Sequence, residues 1–202
     1  MKDYKVYKLF PTPIFHLEVE NFKKLNIELE NYILNLKKKD ENGQRKSNQG
    51  GWHSPFFDQK NDKILKRFSD IIQNFFIKIF VDEMGWEYNP DKIKITGMWS
   101  IINKKGSFNI QHNHPNAYLS AVYYVQVSEN SGNIKFFDPR EQKNIRQPKI
   151  KNYTDTSAAI TEMTPQEGDL LIFPSYLYHS VGKNLSEDDR IIISFNVDIE
   201  YK

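Results

Sequence analysis

The 202-residue sequence contains no cysteine, and this absence excludes several kinds of chemistry at once. Disulfide scaffolds, thiolate metal sites, iron–sulfur clusters and cysteine nucleophiles all need a residue type that the chain does not have. A transition metal therefore has to be held by histidine or carboxylate side chains. Because there are only five histidines, each one can be considered individually.

Long apolar runs and a strong excess of one charge are also missing. No segment approaches the roughly 20 apolar residues of a membrane helix, and Met1–Phe10 lacks the apolar core of a signal peptide. Lys and Arg together number 28 and Asp and Glu 26, so the formal net charge is only +2, which disfavours a protein that coats nucleic acid. We therefore expect a cytoplasmic protein with no membrane partner, and the near-neutral charge disfavours a nucleic-acid partner.

The first half of the sequence has the pattern of an extended lead-in followed by helices. Leu9–Val19 contains two prolines among apolar residues and predicts an edge strand or an extended lead-in. Asn21–Lys38 has apolar residues at helical spacing, and a second helix with a broad apolar face is expected to begin at Asn61 or Asp62 and to end at Gly85. Asp40–Gly51, between them, is polar and predicts a mobile loop.

From residue 92 onward the apolar residues recur with the period of strands. The predicted strands are short, rich in β-branched and aromatic residues, and separated by turn residues: Lys92–Asn103, Ala117–Val127, Asn133–Asp138, Ile160–Met163, Asp169–Pro174 and Arg190–Glu200. Five or more strands behind two helices predict a mainly β fold with α, an antiparallel sandwich or jelly roll with the helices on one outer face. We expect one domain over 1–202, with the lead-in and helices in 1–91 and the β core in 92–200. Pro139–Thr156 is a long polar excursion of the kind that forms functional lids.

Three histidines of the strand-rich half are candidates for a metal site. His112 and His114 are two residues apart just before a predicted strand, and on an extended backbone such residues point to the same side. His179 follows the strand Asp169–Pro174, and in an antiparallel barrel a late strand can return beside an early one. Three such ligands on one face of a metal leave positions open for substrate and oxygen, as in non-haem iron sites. The alternative is that they are ordinary surface or hydrogen-bonded histidines; His16 is interpreted as a strand-edge residue and His53 as part of a loop that could border the cleft.

Arg190 opens the last predicted strand, and Ser194 and Asn196 share its face. An arginine inside a barrel is costly unless an anion meets it, so a strand lining the interior would indicate an anionic ligand. The alternative is that Arg190 lies in solvent or pairs with a neighbouring aspartate, a contact that contributes roughly 0–1 kcal/mol.

The order of these motifs resembles the 2-oxoglutarate/Fe(II)-dependent dioxygenases, and more closely their branch similar to the prolyl hydroxylases. The residues that carry the resemblance run in the order His112-x-His114, LSAVYYV, Gly132–Pro139, Pro165-x-x-Gly168-Asp-Leu-Leu-Ile-Phe-Pro, His179 and Arg190, and the opening Leu9–Pro13 is similar as well. The resemblance covers most of the chain and is strongest over Trp99–Ile199.

This resemblance implies a double-stranded β-helix and an enzyme that couples decarboxylation of 2-oxoglutarate to oxidation of a C–H bond, normally a hydroxylation. It implies that His112, His114 and His179 bind Fe(II) and that Arg190 binds the distal carboxylate of 2-oxoglutarate, assisted by Ser194 and by the hydroxyl of Tyr124. Ser120 lies near the cosubstrate in the same comparison, and Asn103 and Asn196 are weaker candidates. Tyr124, Asn103 and Asn196 could equally be structural residues of the strands.

One residue departs from the usual pattern of this family. The usual ligand set is His-x-Asp/Glu…His, and His114 stands where the carboxylate normally is. A neutral imidazole removes one negative charge from the metal without removing a ligand.

Other functions stay open at this point. A jelly-roll module could hold a metal without catalysis, and three histidines with water could form a hydrolytic zinc site, although no general base is evident. A purely structural role is not excluded either. The primary substrate, a peptide side chain or a metabolite, is not indicated by the sequence, and a homodimer through edge strands is left open.

Overall fold

The computed structural model describes residues 3–59, 61–87, 89, 92–141, 146 and 148–200. Within these ranges the chain forms two α-helices, one π-helical segment and eleven strands, which make two antiparallel sheets. None of the helices in the described ranges combines the length and hydrophobicity needed to cross a bilayer.

The helices lie in the first half, where the apolar spacing predicts them. Helix α1 covers Phe22–Lys39 and helix α2 covers Lys63–Ile77. The Asp62 side chain caps α2 by accepting hydrogen bonds from the backbone N–H groups of Ile64 and Leu65. The α-helix passes into a π-helical segment, Lys78–Glu83, before Gly85 adopts a positive φ of 62°. The predicted second helix is therefore confirmed, and the chain leaves it at Gly85 as expected. The last part of this helix has π-helical and not α-helical geometry.

The larger sheet has six strands, and the smaller has five. The larger sheet has the order β1 (Phe15–Glu18), β9 (Asp169–Pro174), β6 (Leu119–Gln126), β11 (Arg190–Ile199), β4 (Ile93–Asn103) and β3 (Trp52–His53). The smaller sheet has the order β2 (Asn48–Gln49), β5 (Phe108–His112), β10 (His179–Val181), β7 (Ile134–Phe137) and β8 (Ile160–Met163). From β4 to β11 the chain alternates between the sheets except at β7–β8, so it winds around a common interior as a jelly roll does.

Residues of the larger sheet divide by the strand period of two. On β11, Ile191, Ile193, Phe195 and Val197 pack with apolar residues of both helices in one core. The alternate residue Ile192 packs between the two sheets, together with inward-facing residues of β4, β6 and β9. Each fully buried Leu, Ile or Phe of the helix-side core stabilises the fold by about 1.5–3 kcal/mol. The helices thus cover one face of the larger sheet, which leaves the other face to build the interior of the barrel.

The structure confirms the predicted fold class and most of the predicted strands, with three corrections. The strand predicted over Leu9–Val19 is confined to β1, because the prolines before it have no N–H to donate to a sheet. Asp40–Gly51 is not wholly a loop, since β2 lies within it and pairs with β5. His53 is on β3, paired with β4, and not in a loop.

Strands β5 and β10 are absent from the strands that the sequence predicts, because they are short and polar. Of the long excursion Pro139–Thr156, residues 142–145 and 147 lie outside the described part of the chain, so its role as a lid stays a prediction. The assignment of 1–202 to one domain also stays a prediction, and residues 1, 2, 201 and 202 lie outside the described ranges.

Candidate metal centre and cosubstrate cavity

Two adjacent strands of the smaller sheet bring the three candidate histidines together. Strand β10 pairs antiparallel with β5, and the Cα atoms of His179 and His112 are direct partners across this pair. His114 lies two residues past His112, where its backbone N–H donates to the carbonyl of Ser175 at 2.9 Å. The late strand therefore returns beside the early one, as the antiparallel arrangement requires.

The three imidazole rings form a compact cluster. The ring centroids of His112 and His179 are 4.3 Å apart, and that of His114 is 5.1 Å from His112 and 5.2 Å from His179. The ligand nitrogens that these rings offer all lie within 4.8 Å of one another. Within the described part of the chain this is the one group of three or more histidines or carboxylates with such convergence. The group could hold a single metal ion. With metal–nitrogen bonds of about 2.0–2.1 Å, two ligand nitrogens of one ion are at most about 4.2 Å apart, so the rings would close slightly around it.

Two of the rings have their tautomer fixed by the backbone. Nδ1 of His112 is 2.8 Å from the carbonyl oxygen of Ile110, and Nδ1 of His179 is 3.0 Å from that of Leu177. Since a carbonyl only accepts, each Nδ1 carries the hydrogen and each Nε2 keeps its lone pair free for a metal. No such bond from the ring of His114 to any described residue is present.

Burial keeps these histidines neutral. It lowers the pKa of His114 to about 4 and that of His179 to about 3, and it also lowers the pKa of His112; the neighbouring imidazoles add to the effect for His114 and His179. Neutral imidazole is the form that binds a metal. The cluster is therefore in its metal-binding protonation state at neutral pH.

Arg190 lies inside the protein. Only 1% of its surface is exposed, although it is the first residue of its strand. Its Nη1 donates to the carbonyls of Ser131 and Gly132 at 3.1 and 2.9 Å, and its Nε has no hydrogen-bond partner. No salt bridge of Arg190 to a described residue is present. A buried cation with an unused donor and no counter-ion costs several kcal/mol, a cost that an anionic ligand at this position would offset.

A cavity of about 510 Å³ connects the histidine cluster to Arg190. Its wall is mainly apolar and aromatic and includes Phe56, Trp99, Ile134, Phe173 and Ile192. None of its lining residues is acidic, whereas Lys46 and Arg190 are both cationic. A large, mostly apolar pocket with a few converging polar groups is the usual form of a small-molecule site. The charge of this one favours a ligand that carries carboxylates.

The other candidate residues divide into two groups. Tyr124, Ser194 and Asn196 line the cavity with Arg190. Burial raises the pKa of Tyr124, and the charge of Arg190 opposes this rise, which places the phenol within electrostatic range of the guanidinium.

Ser120 and Asn103 do not line the cavity. Ser120 Oγ donates to Asn196 Oδ1 at 3.0 Å within the larger sheet. The Asn103 amide donates to Oδ1 of Asn109, on β5 of the smaller sheet, at 3.0 Å, so it links the two sheets.

The cavity wall also includes residues outside the set that the sequence predicts for the site, among them Trp99, His53 and Lys46. The ring centroid of Trp99 is 5.6 Å from that of His114. The ring of His53 stacks on Trp99 at 5.9 Å and lines the cavity, as Lys46 also does. The alternation of β4 contains a signal for Trp99, because Trp99 shares a strand face with Ile101, whereas the sequence holds no comparable signal for Lys46. His53 does border the cavity, as the sequence analysis allows, although it lies on a strand.

His16, the remaining histidine, lies away from this cavity. Its Nε2 is 2.9 Å from the nearly buried carboxylate of Asp169, at the edge of the larger sheet, where β1 pairs with β9. The structure confirms the prediction of a strand-edge residue.

Comparisons with known proteins agree with the geometry. Residues 97–196 match the sequence model of the family described as "Putative 2OG-Fe(II) oxygenase". No curated protein matches the chain. The matched residues run from β4 to β11 and include the histidine cluster and Arg190.

Solved structures of similar fold share little sequence with this chain. A prolyl-4-hydroxylase from Pseudomonas putida is 12% identical, with 94% of each chain covered and a TM-score of 0.67. HygX from Streptomyces hygroscopicus, solved with nickel and 2-oxoglutarate bound, is 12% identical over 94% of this chain and 84% of its own, with a TM-score of 0.66. A prolyl hydroxylase from Trichoplax adhaerens, in complex with a peptide fragment of the hypoxia inducible factor oxygen degradation domain, is 13% identical over 92% and 83%, with a TM-score of 0.64.

These likenesses establish the double-stranded β-helix fold, and the family match covers the strands that build the site. The predicted resemblance is confirmed: residues 97–196 of this chain match the family of 2OG-Fe(II) oxygenases.

Proposed function

We propose that this protein is a 2-oxoglutarate-dependent hydroxylase in which His112, His114 and His179 hold Fe(II) and Arg190 holds 2-oxoglutarate. The observation that carries the proposal is one cavity, free of acidic residues, with three converging neutral imidazoles and a buried guanidinium that has a donor to spare. The match of residues 97–196 to the oxygenase family supports it.

The donor set fits the proposed ligands. Imidazole nitrogens suit Fe(II), and three ligands on one face leave coordination positions for a cosubstrate. When bound, Fe(II) would supply the oxidative chemistry in which O2 oxidises both 2-oxoglutarate, to succinate and CO2, and the substrate C–H bond, to C–OH. The distal carboxylate of 2-oxoglutarate would meet the guanidinium of Arg190, where a charge-assisted hydrogen bond would compensate the cost of burying the cation.

The chain's own residues would orient the cosubstrate and keep the cavity dry. Tyr124 and Ser194 line the cavity with Arg190 and would donate hydroxyl hydrogens to the same carboxylate. Ile134, Phe173 and Ile192 exclude water from the wall between the two ends, which strengthens every electrostatic contact inside. The carbonyls behind His112 and His179 hold each Nε2 towards the metal position.

The test is formation of succinate from 2-oxoglutarate with added Fe(II). We expect turnover by the wild-type protein, and loss of both metal binding and turnover on His179→Ala. His16→Ala is the matched control, because it also removes one imidazole but lies away from the cavity. Turnover that persists in His179→Ala would contradict the assignment.

A second candidate, a metal-binding module without catalysis, is favoured by one observation, the imidazole of His114 where a carboxylate is usual. Calorimetry separates the two functions. Metal binding with 2-oxoglutarate binding and turnover supports the hydroxylase, whereas metal binding without affinity for 2-oxoglutarate supports the module.

The primary substrate is proposed only as a class. Peptides and metabolites both suit this family, and the cavity shows no acidic residue that would select a cationic substrate. A homodimer also stays a prediction; the outer strand β8 of the smaller sheet, where Ile160 is exposed, offers an edge for it.

A further inference from the structure

The three proposed ligands are not oriented in the same way. His112 and His179 each have Nδ1 hydrogen-bonded to a backbone carbonyl two residues before them. The His114 ring forms no hydrogen bond to a described residue, and only its backbone N–H is bonded, to Ser175. A ring with neither nitrogen anchored has two accessible tautomers and a free χ2 rotation, unless packing restricts it.

Packing of a definite kind surrounds His114. Its ring lies nearly parallel to that of His179, with an interplanar angle of 12°, and it also meets the indole of Trp99 at 5.6 Å and 30°. Trp99 in turn stacks on His53 with an interplanar angle of 9°, and the ring centroid of Phe56 is 5.7 Å from that of Trp99. The rings of His53, Trp99, His114 and His179 therefore form a column, which we call the ring column.

The ring column joins the two sheets. His53 and Trp99 belong to β3 and β4 of the larger sheet, and His179 belongs to β10 of the smaller sheet. Trp99 is 6% exposed and is on a strand paired with β11, so its own position is fixed by the sheet and not by the loop that carries His114. A rigid indole beside an unanchored imidazole restricts the rotation of that imidazole.

We propose that Trp99 is the positioning residue that orients His114 towards the metal, in the role that a carbonyl has for the other two histidines. The proposal rests on the proposed metal site. It also accounts for a ring at the position where a carboxylate is usual: a planar imidazole fills the gap between Trp99 and His179, and a short carboxylate would not touch the indole in this way.

The test is a double-mutant cycle on metal affinity, with Ni(II) as the probe and calorimetry as the readout. Trp99→Leu is expected to raise the Ni(II) dissociation constant about tenfold, as loss of an orienting partner typically does. In the His114→Asp background, where the third ligand is a carboxylate, the same change is expected to have an effect of about twofold or less. Trp99→Phe, which keeps an aromatic face, is expected to stay within about threefold of wild type.

Two outcomes of the cycle overturn the proposal: an equal factor for Trp99→Leu in both backgrounds, or no effect in wild type. The first would mean that Trp99 supports the fold and not His114. If wild-type protein does not bind Ni(II) at all, the proposed function fails instead, so the two failures are distinguishable.

A measurement on the wild-type protein covers the case in which Trp99→Leu does not fold. Nitrogen-15 NMR of the metal-free imidazoles is expected to show a single tautomer, protonated at Nδ1, for His112 and His179, and both tautomers for His114. A single tautomer held by a hydrogen bond at His114 would remove the need for Trp99 and overturn the proposal.

Discussion

The two faces of strand β11 carry different kinds of residue. The face towards the helices consists of Ile191, Ile193, Phe195 and Val197, all in one apolar core. The face towards the interior has Arg190, Ser194 and Asn196, all of which line the cavity. Because strand side chains alternate, one ten-residue segment separates residues of the apolar core from residues that line the proposed ligand cavity. Substitutions on the two faces should therefore have different consequences, and four predictions test this.

The largest effect is expected on the helix side. Phe195 packs edge-on against Phe68 and Phe76, each with a ring-centroid distance of 6.2 Å, and is fully buried. Phe195→Ala should lower the free energy of unfolding by about 3–5 kcal/mol, because it leaves a cavity between the helix and the sheet. Urea unfolding measures this, and the affinity for 2-oxoglutarate should stay within about twofold of wild type in the folded protein. A large loss of affinity in a protein that is still folded would show that the two faces are coupled.

On the inner face a substitution should change the affinity for 2-oxoglutarate more than it changes the free energy of unfolding. Arg190→Met removes the charge but keeps most of the side-chain length. We expect the dissociation constant for 2-oxoglutarate to rise about 100-fold, or about 2.7 kcal/mol, as for loss of a hydrogen bond between charged groups. The free energy of unfolding should change less than in Phe195→Ala, because the substitution also removes the cost of a buried cation. Arg67→Met is the control, since Arg67 is exposed and paired with Glu28. Equal affinities of the Arg190→Met protein and wild type would place the anchor elsewhere.

The backbone that holds Arg190 is part of the same inner face. Gly132 has a φ of 100°, and a Cβ there would collide with the carbonyl of Gly182 and lie 3.1 Å from Nη1 of Arg190. Gly132→Ala should therefore displace the guanidinium and raise the 2-oxoglutarate dissociation constant about tenfold, besides a backbone strain of about 1–3 kcal/mol. Gly106→Ala is the matched control, because Gly106 has a φ of 82° with nothing within 4 Å of the added Cβ. If both variants raise the 2-oxoglutarate dissociation constant by the same factor, backbone strain and not contact with Arg190 is the cause of the weaker binding.

Sequence patterns predict the helix side better than the inner side, for a physical reason. Burial against helices leaves a period that is visible in the sequence, as in α1 and β11, and the order of motifs identifies His112, His179 and Arg190 as neighbours. Strands β5 and β10 leave no such period, since each is short and its polar residues face a cavity or a loop. The positions of Trp99 and His53 depend on how β3 and β4 pair, and no local pattern encodes that pairing.

The smallest effect, and the sharpest comparison, concerns two serines of adjacent strands. Ser194 on β11 lines the cavity, whereas Ser100 on β4 is fully buried between Met98 and Ile102, which pack on the helix side, and its Oγ donates to the carbonyl of Ile192 at 2.7 Å. Ser194→Ala should raise the 2-oxoglutarate dissociation constant only about threefold, at the low end for loss of one hydrogen bond, because Arg190 still holds the same carboxylate, and unfolding should change little.

Ser100→Ala should do the reverse, with a loss of about 1 kcal/mol in the free energy of unfolding and no change in 2-oxoglutarate affinity. Both variants remove a serine Oγ, and the two strands that carry these serines are hydrogen-bonded to each other. The difference under test is which face of the larger sheet the hydroxyl lies on. Calorimetry and urea unfolding on both proteins complete the comparison. If Ser100→Ala weakened 2-oxoglutarate binding as much as Ser194→Ala, the separation of the two faces would be wrong, because the sheet itself would transmit the change to the cavity.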